Sequence, residues 1–252
     1  MAKKFRLIPS VLYKSGSVVK SVQFEDHRVV GDLPSTMRVF SRRQADELVI
    51  FDLDAANSNE IDWGMVEACV ENCNMPLCYG GGIDRPELAI ELISRGFDKV
   101  ACNTALFETP DCVSGIAAAL GSSSTVGSVD IKEHDGALQI FSASGTKCQG
   151  PLEPKSFCRF VENIGVGELI INRIDLDGTM QGYKFDLMAE LIEEAPMPVL
   201  ISGGCSGDPC IAEAYKMGFD GAVMSSIFLW KGDSIPSLKN QLRDCVPIRE
   251  VI

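Results

Sequence analysis

A (β/α)8 barrel built from two similar (β/α)4 halves is the fold this sequence predicts, and three observations carry that prediction. Eight short β-type runs alternate with eight stretches of helical length and amphipathic pattern, the order that lays helices around a parallel sheet. The alternation is regular over 252 residues with no break in composition, which favours one closed barrel over residues 1–252 rather than a doubly wound sheet. The chain also repeats itself. Gly96-Phe97-Asp98-Lys99-Val100 returns as Gly218-Phe219-Asp220-Gly221-Ala222, an offset of 122 residues. Asp52-Leu53-Asp54-Ala55 returns as Asp175-Leu176-Asp177-Gly178, and Gly81-Gly82-Ile83 as Gly203-Gly204-Cys205. A period this long is not that of a solenoid; it divides the chain into halves of about 1–120 and 121–252.

Taken in order, the β-type runs are 5–11, 47–52, 76–79, 99–102, 125–130, 168–172, 198–202 and 221–224. The helical stretches are 35–43, 61–72, 85–94, 111–120, 154–163, 186–195, 208–217 and 235–245. Asp84 before Pro86 and Asp208 before Pro209 read as a capping residue followed by an early proline. Two connections are long, 13–33 and 133–150. In a compact barrel such loops are lids or binding loops, or else disordered. The second contains a short hairpin-like run, 137–141.

Composition narrows the function. The net charge of −12 and pI near 4.7 argue against a nucleic-acid surface while leaving room for small anion sites. Ten cysteines without a Cys-x-x-Cys pair, and two histidines (His27, His134) far from any thiol cluster, predict free thiols, no zinc and a reducing cytosol. No run approaches the ~18 apolar residues of a membrane span, and nothing calls for a cofactor.

The residues that could carry chemistry fall into three groups. Gly81 and Gly82 follow the third run, with Asn103 and Thr104 after the fourth; Ser202, Gly203 and Gly204 close the seventh, with Ser225 and Ser226 after the eighth. Glycine turns let backbone N–H groups approach an anion, and small hydroxyls complete such a site. The competing explanation is a tight turn that needs glycine for positive φ. Occurring twice in register, the motif favours two phosphate sites on opposite sides of the barrel mouth, and hence a long bis-phosphorylated ligand. Next come the run-ending carboxylates Asp52, Asp130 and Asp177. Asp130 is the strongest candidate for acid–base work; Lys20 can reach the same mouth from the first loop. Asp52 reads better as a group that binds loop amides, and Asp177-Gly178 as a turn with ligand contact as a second role. Finally, Arg6, Glu47, Lys99 and Glu168 open the first, second, fourth and sixth runs, so they gather at the opposite, N-terminal face. They form either a salt-bridged floor or a gate.

These motifs together resemble the cyclase subunit of imidazole glycerol phosphate synthase, over nearly the whole length from Phe5 to about Trp230. The likeness rests on Gly80-Gly81-Gly82-Ile83, Asp98-Lys99-Val100, Asn103-Thr104, Val129-Asp130-Ile131-Lys132, Ser144-Gly145, Asp177-Gly178-Thr179 with Gly182-Tyr183, and Ser202-Gly203-Gly204. The resemblance implies a glutaminase partner docked on the N-terminal face beside Asp98. It implies ammonia passing a gate of Arg6, Glu47, Lys99 and Glu168, and attack on a bis-phosphorylated ribulosyl substrate at the top. Asp130 and Lys20 match catalytic residues there. The second catalytic aspartate of the family falls on Leu12. Lys184 and Leu229 stand where the family has aspartate and histidine. Leucine transfers no protons, so the sequence predicts a paralogue that keeps the ammonia entrance and loses the family reaction. The resemblance suggests amidation of acetamidino sugars for surface polysaccharide, with a sugar amidotransferase as a further partner. The alternatives are an authentic cyclase in histidine biosynthesis with Asp52 or Asp177 as substitute acid, and a non-catalytic phosphate-binding activator of a glutaminase.

Overall fold

In the computed structural model, residues 4–185, 188–230 and 234–249 are described. Eight parallel strands close on themselves: β1 (Arg6–Lys14), β4 (Leu48–Asp52), β5 (Leu77–Gly80), β6 (Lys99–Cys102), β7 (Thr125–His134), β10 (Glu168–Arg173), β11 (Val199–Ser202) and β12 (Gly221–Met224). Closure runs through Arg6↔Gly221 on one side and Asn172↔Asp130 on the other. The helices between them are α1 (Leu33–Arg42), α3 (Trp63–Glu71), α4 (Pro86–Ser94), α6 (Pro110–Leu120), α7 (Pro154–Asn163), α8 (Ala189–Glu194), α9 (Asp208–Lys216) and α11 (Ile235–Leu242). This is the expected (β/α)8 barrel.

Two layers of apolar side chains hold it together. Inside, each strand contributes one residue to a single buried cluster: Ile8, Val49, Cys78, Ala101, Val126, Ile170, Leu200 and Val223. The alternate strand residues, such as Leu7, Leu48, Leu77 and Val100, face outward onto the helices in a larger cluster. Alternation between these two buried surfaces explains why the strands read as continuous apolar runs. Tyr13 of β1 ties this shell to α3 by donating 2.8 Å to Asp62, which also caps α3 by accepting from the Met65 N–H at 3.1 Å.

Several elements differ from the sequence expectation. The first long loop, expected as a lid or binding loop or else as disordered, is ordered: it folds as a hairpin of β2 (Ser17–Val22) and β3 (Glu25–Gly31) that extends the β1 ladder. The second long loop bears out the hairpin-like run expected at 137–141: it holds β8 (Ala137–Ser142), followed by β9 (Lys147–Pro151), beside an elongated β7. Short helices α2 (Ala55–Ser58), α5 (Thr104–Glu108) and α10 (Ser226–Trp230) follow three of the strands. The capping expectation fails at both sites. Arg85 occupies the N-cap of α4 and Gly207 that of α9, so Asp84 lies outside the helix and Asp208 within its first turn. Proline fixes where a helix begins more sharply than the acid beside it does. The helix expected to start at Asp186 begins at Ala189; Asp186 itself lies outside the described residues.

At the barrel base, Lys239 of α11 is buried and donates to the carboxylate of Asp46 at 2.9 Å and to the Gln44 carbonyl at 3.0 Å. Asp46 accepts in turn from the Leu7 N–H at 2.8 Å. Removing the ammonium leaves a buried carboxylate without its charge partner. Lys239→Ala is therefore expected to cost about 3–5 kcal/mol, read as a lowered urea midpoint at unchanged slope; an unchanged midpoint would show that the pair contributes nothing.

Candidate functional site at the barrel mouth

The C-terminal ends of the strands surround a cavity of about 420 Å³. Leu12, Lys20, Asp52, Gly81, Gly82, Asn103, Thr104, Asp130, Asp177, Ser202 and Ser225 all line it. A smaller adjoining cavity of about 20 Å³ touches Asp177, Gly178, Ser202, Gly203, Gly204, Ser225 and Ser226. The barrel thus brings both glycine turns and the three acids to one opening, Asp52 from the end of β4, Asp130 from within β7 and Asp177 not from a strand end, as expected, but from the turn after β10.

Asp130 is buried and accepts from Asn172 Nδ2 at 3.1 Å. Burial pushes its carboxyl up to about 7; the Asn172 hydrogen bond works against the shift and the Asp177 charge adds to it. Such a group shares its proton near neutrality, as an acid–base catalyst must. Lys20 is buried as well, brought over the mouth by the β2–β3 hairpin. Burial lowers its ammonium to about 8, with Asp177 opposing the shift. Burial also raises the half-buried Asp177 above its ordinary value, Lys20 pulling it back. The hairpin is fixed in this position by two bonds from Gln23: its N–H donates to the Asp177 carbonyl at 2.9 Å and its Nε2 to the Asp175 carbonyl at 2.6 Å.

Strand order places β1 four steps from β7 around the eight-stranded ring. Leu12 on β1 therefore stands across the mouth from Asp130, half-buried and in the same cavity. Asp52 is differently engaged. It accepts from the Asp54 and Ala55 N–H groups at 3.1 and 3.0 Å and from the Tyr79 hydroxyl at 2.9 Å. Asp175, its counterpart in the repeat, instead receives Arg173 Nε at 3.0 Å and Nη2 at 2.7 Å.

The glycine turns are packed against backbone. A Cβ on Gly81 (φ +135°) would meet the Asp52 carbonyl at 2.3 Å, and one on Gly203 (φ +86°) the Arg173 carbonyl at 2.3 Å. Close approach of neighbouring turns thus accounts for these glycines before any ligand is considered. Ser225 Oγ donates to the Ser10 carbonyl at 2.7 Å and Asn103 Nδ2 to the Ser128 carbonyl at 2.9 Å.

At the opposite end the four charges meet. Arg6 donates to Glu47 at 3.2 Å and closely to Glu168, while Lys99 Nζ lies 2.9 Å from Glu47 and 2.7 Å from Glu168. The signs alternate around the ring. Burial raises the Glu47 carboxyl, only partly offset by Lys99. For Glu168 burial acts in the same sense, but Arg6 and Lys99 outweigh it and hold the carboxyl down. For Lys99 burial is overcome by Glu168 and Glu47, which keep it protonated. Asp98 is exposed at this face and accepts from the Leu77 N–H at 2.9 Å; Asp220 makes the equivalent bond to Val199 at 2.9 Å.

Sequence reasoning missed Asn172, which holds Asp130, and Tyr79, which holds Asp52. The register Asn172↔Asp130 is what joins the first pair; run-ending position in adjacent barrel strands was the available signal. Asn172 Oδ1 is buried without a hydrogen-bond partner among the described residues, which leaves an acceptor at the cavity. Lys184 is exposed, and the Leu229 side chain lies outside the described residues.

Because the folded carboxyl of Asp130 titrates near 7 and an unfolded one near 4, the native state holds a proton that the unfolded chain has released between those values. Stability from this group therefore falls as pH rises through that window. Asp130→Asn removes the slope, so the variant is expected to gain on the parent by a few kcal/mol, to order of magnitude, between pH 4 and pH 8. Parallel denaturation profiles for the two proteins would contradict the raised carboxyl.

Known proteins were compared with the chain. The family described as "Histidine biosynthesis protein" matches residues 6–233. Imidazole glycerol phosphate synthase subunit HisF of Chlorobium limicola is 34% identical over 247 residues, covering 97% of this chain and 98% of that protein. HisF of Campylobacter lari is 31% identical over 244 residues, 95% and 96% of the two chains. A Campylobacter jejuni protein provisionally assigned as subunit hisF2 is 34% identical over 239 residues, 95% of each. With its closed barrel, its paired glycine turns and its full-length matches, the chain belongs to the histidine biosynthesis protein family, within the HisF-type subunits of imidazole glycerol phosphate synthase.

Proposed function

We propose that this protein is a HisF-type barrel that takes ammonia from a HisH-like glutaminase docked on its N-terminal face and delivers it to a phosphorylated acceptor at the mouth, with the family's lyase and cyclisation chemistry lost. The observation that carries the reading is Leu12 facing the same cavity as Asp130 from the far side of the barrel. Two proton-transfer steps need two poised groups, and a leucine supplies none. Asp130 with Lys20 remains for one acid–base step.

The other parts fit delivery. The ring of Arg6, Glu47, Lys99 and Glu168 is a charged threshold. Behind it the barrel interior is lined by one apolar residue from each strand, a lining that admits neutral ammonia at far lower cost than ammonium. Gly81, Gly82, Asn103 and Thr104 on one side, and Gly178, Ser202, Gly203, Gly204, Ser225 and Ser226 on the other, are the two phosphate subsites of this reading, with Asp177 between them. Asp98 belongs to the partner interface. The acceptor we favour is an intermediate of acetamidino-sugar synthesis for surface polysaccharide, completed by a sugar amidotransferase in the cytosol.

A second reading, an authentic histidine-pathway cyclase, draws on Asp177, which lines the cavity with Lys20 and Asp130 and is raised above its ordinary value. Asp52 is a poor substitute, since both its oxygens are engaged. The test is to titrate the protein with the bis-phosphorylated ribulosyl substrate and follow imidazole glycerol phosphate at saturating ammonium. Binding without steady-state turnover is the expected result; robust turnover would establish the second reading. In a reconstituted amidation with the true acceptor, Asp130→Asn is expected to lose about 10²–10⁴-fold in rate. A non-catalytic activator would instead give no ammonia-dependent product in any mixture.

A further inference from the structure

Two cysteines that the proposed chemistry does not use sit beside the second glycine turn. Cys205 directly follows Gly204 and lines the smaller cavity. Cys210 is the third residue of α9. Their sulfurs are 3.7 Å apart. The Ser206 N–H donates to the Cys210 sulfur at 3.2 Å. Both thiols are buried, in contrast to the exposed Cys148 and Cys245.

The surroundings separate the two groups. The Cys205 hydrogen bond lowers the Cys210 thiol to about 6, with Ser206 adding to the shift and burial opposing it. Burial first, and then the Cys210 neighbour, push Cys205 well up. Cys210 stands in the first turn of a nine-residue helix, its sulfur accepting from Ser206 and donating to the Gly207 carbonyl at 3.1 Å, and a second thiol in contact is placed as the resolving partner of a nucleophile.

We infer that Cys205 and Cys210 are a peroxide-oxidisable dithiol that closes to a disulfide and thereby weakens phosphate capture at the adjoining Gly203–Gly204 turn. The second half rests on the phosphate reading of that turn. The Cys210 thiol gives up its proton and its sulfur attacks hydrogen peroxide: an S–O bond forms, the O–O bond breaks, and the departing hydroxide takes up the proton that Cys210 released, leaving as water. Cys205 then attacks the sulfenic sulfur; the S–S bond forms, and the leaving hydroxide combines with the Cys205 proton as a second water. The dithiol is oxidised by two electrons and the peroxide reduced by two. Bond formation requires the sulfurs to close to about 2.05 Å. That displacement falls on a turn with little freedom. The Gly182 N–H donates to the Gly204 carbonyl at 2.8 Å, and a Cβ on Gly204 (φ +100°) would meet the Gly182 carbonyl at 2.7 Å. Pulling Cys205 toward α9 therefore drags Gly204 out of its packed position.

The experiment treats the purified full chain with limiting hydrogen peroxide and maps thiols by tandem mass spectrometry. Inorganic phosphate is titrated into reduced and oxidised protein by calorimetry. The peptide holding both cysteines is expected to lose two hydrogen atoms, and one of two phosphate sites to weaken about tenfold, about 1.4 kcal/mol, with dithiothreitol restoring it. Cys210→Ser, with Cys210→Ala as a second form should the first fold poorly, is expected to bind phosphate alike before and after peroxide. Oxidation confined to Cys148 and Cys245 would overturn the dithiol. A mapped disulfide with unchanged phosphate binding would overturn its effect on the turn. If the reduced protein holds no phosphate there at all, the phosphate reading falls while the mapped disulfide still upholds the dithiol.

Discussion

Leu12→Asp is expected to create imidazole glycerol phosphate production where the parent has almost none, a rise of about 10²-fold or more in ammonium-dependent turnover. The reason is positional. Leu12 pairs in register with Val19 of the hairpin and Phe51 of β4 and lines the cavity together with Asp130 and Lys20. A carboxylate there faces the same cavity as Asp130 and supplies the second proton-transfer group that the leucine lacks. Aspartate is smaller than leucine and half-buried at this position, so the barrel accommodates it. Product formation is followed with the ribulosyl substrate and excess ammonium. A variant no faster than the parent would mean that Leu12 is not what blocks the reaction.

Lys99→Ala should separate glutamine-dependent from ammonium-dependent amination. Lys99 stands between Glu47 and Glu168 and bonds both. Without it, two buried carboxylates share Arg6 alone, and Glu47, already raised by burial, goes further toward its neutral form. The threshold loses its alternation, and on the proposed delivery route ammonia from a glutaminase partner is expected to escape or stall there. Ammonium supplied from solution reaches the mouth directly. The expected result is a loss about tenfold greater with glutamine than with ammonium, as a gate contributing ~1.4 kcal/mol would give. The ring is partly open to solvent, so the accompanying stability loss should be well below the 3–5 kcal/mol of a fully buried pair. Equal losses with both nitrogen sources would reduce the ring to a salt-bridged floor.

Much of the fold was legible because burial on both faces leaves a plain signature. The runs 99–102 and 221–224 and the helix 154–163 coincide with β6, β12 and α7 to the residue, since the two strands are short runs between polar residues and the helix is amphipathic and opens on a proline. The repeat marks both glycine turns and the acids Asp52 and Asp177 in the sequence itself. The first hairpin was obscure for the opposite reason. β3 is largely exposed and owes its strand to cross-strand bonds with β2, which no local pattern records. β7 continues to His134 through exposed residues for the same cause. Helices of four or five residues are too short to display a period. Within the site, Asn172 and Tyr79 became visible only when register joined strands distant in sequence, and the Cys205–Cys210 contact only when the turn before α9 folded back.

The most direct measurement is a single-turnover quench. Excess protein is mixed with the bis-phosphorylated ribulosyl substrate and saturating ammonium, and the bound material is analysed over many turnover times of a working HisF subunit. Intact substrate, held by the protein and recovered unchanged, is the expected result for a mouth with Asp130 and Leu12 facing each other. Imidazole glycerol phosphate formed in that first turnover would contradict it.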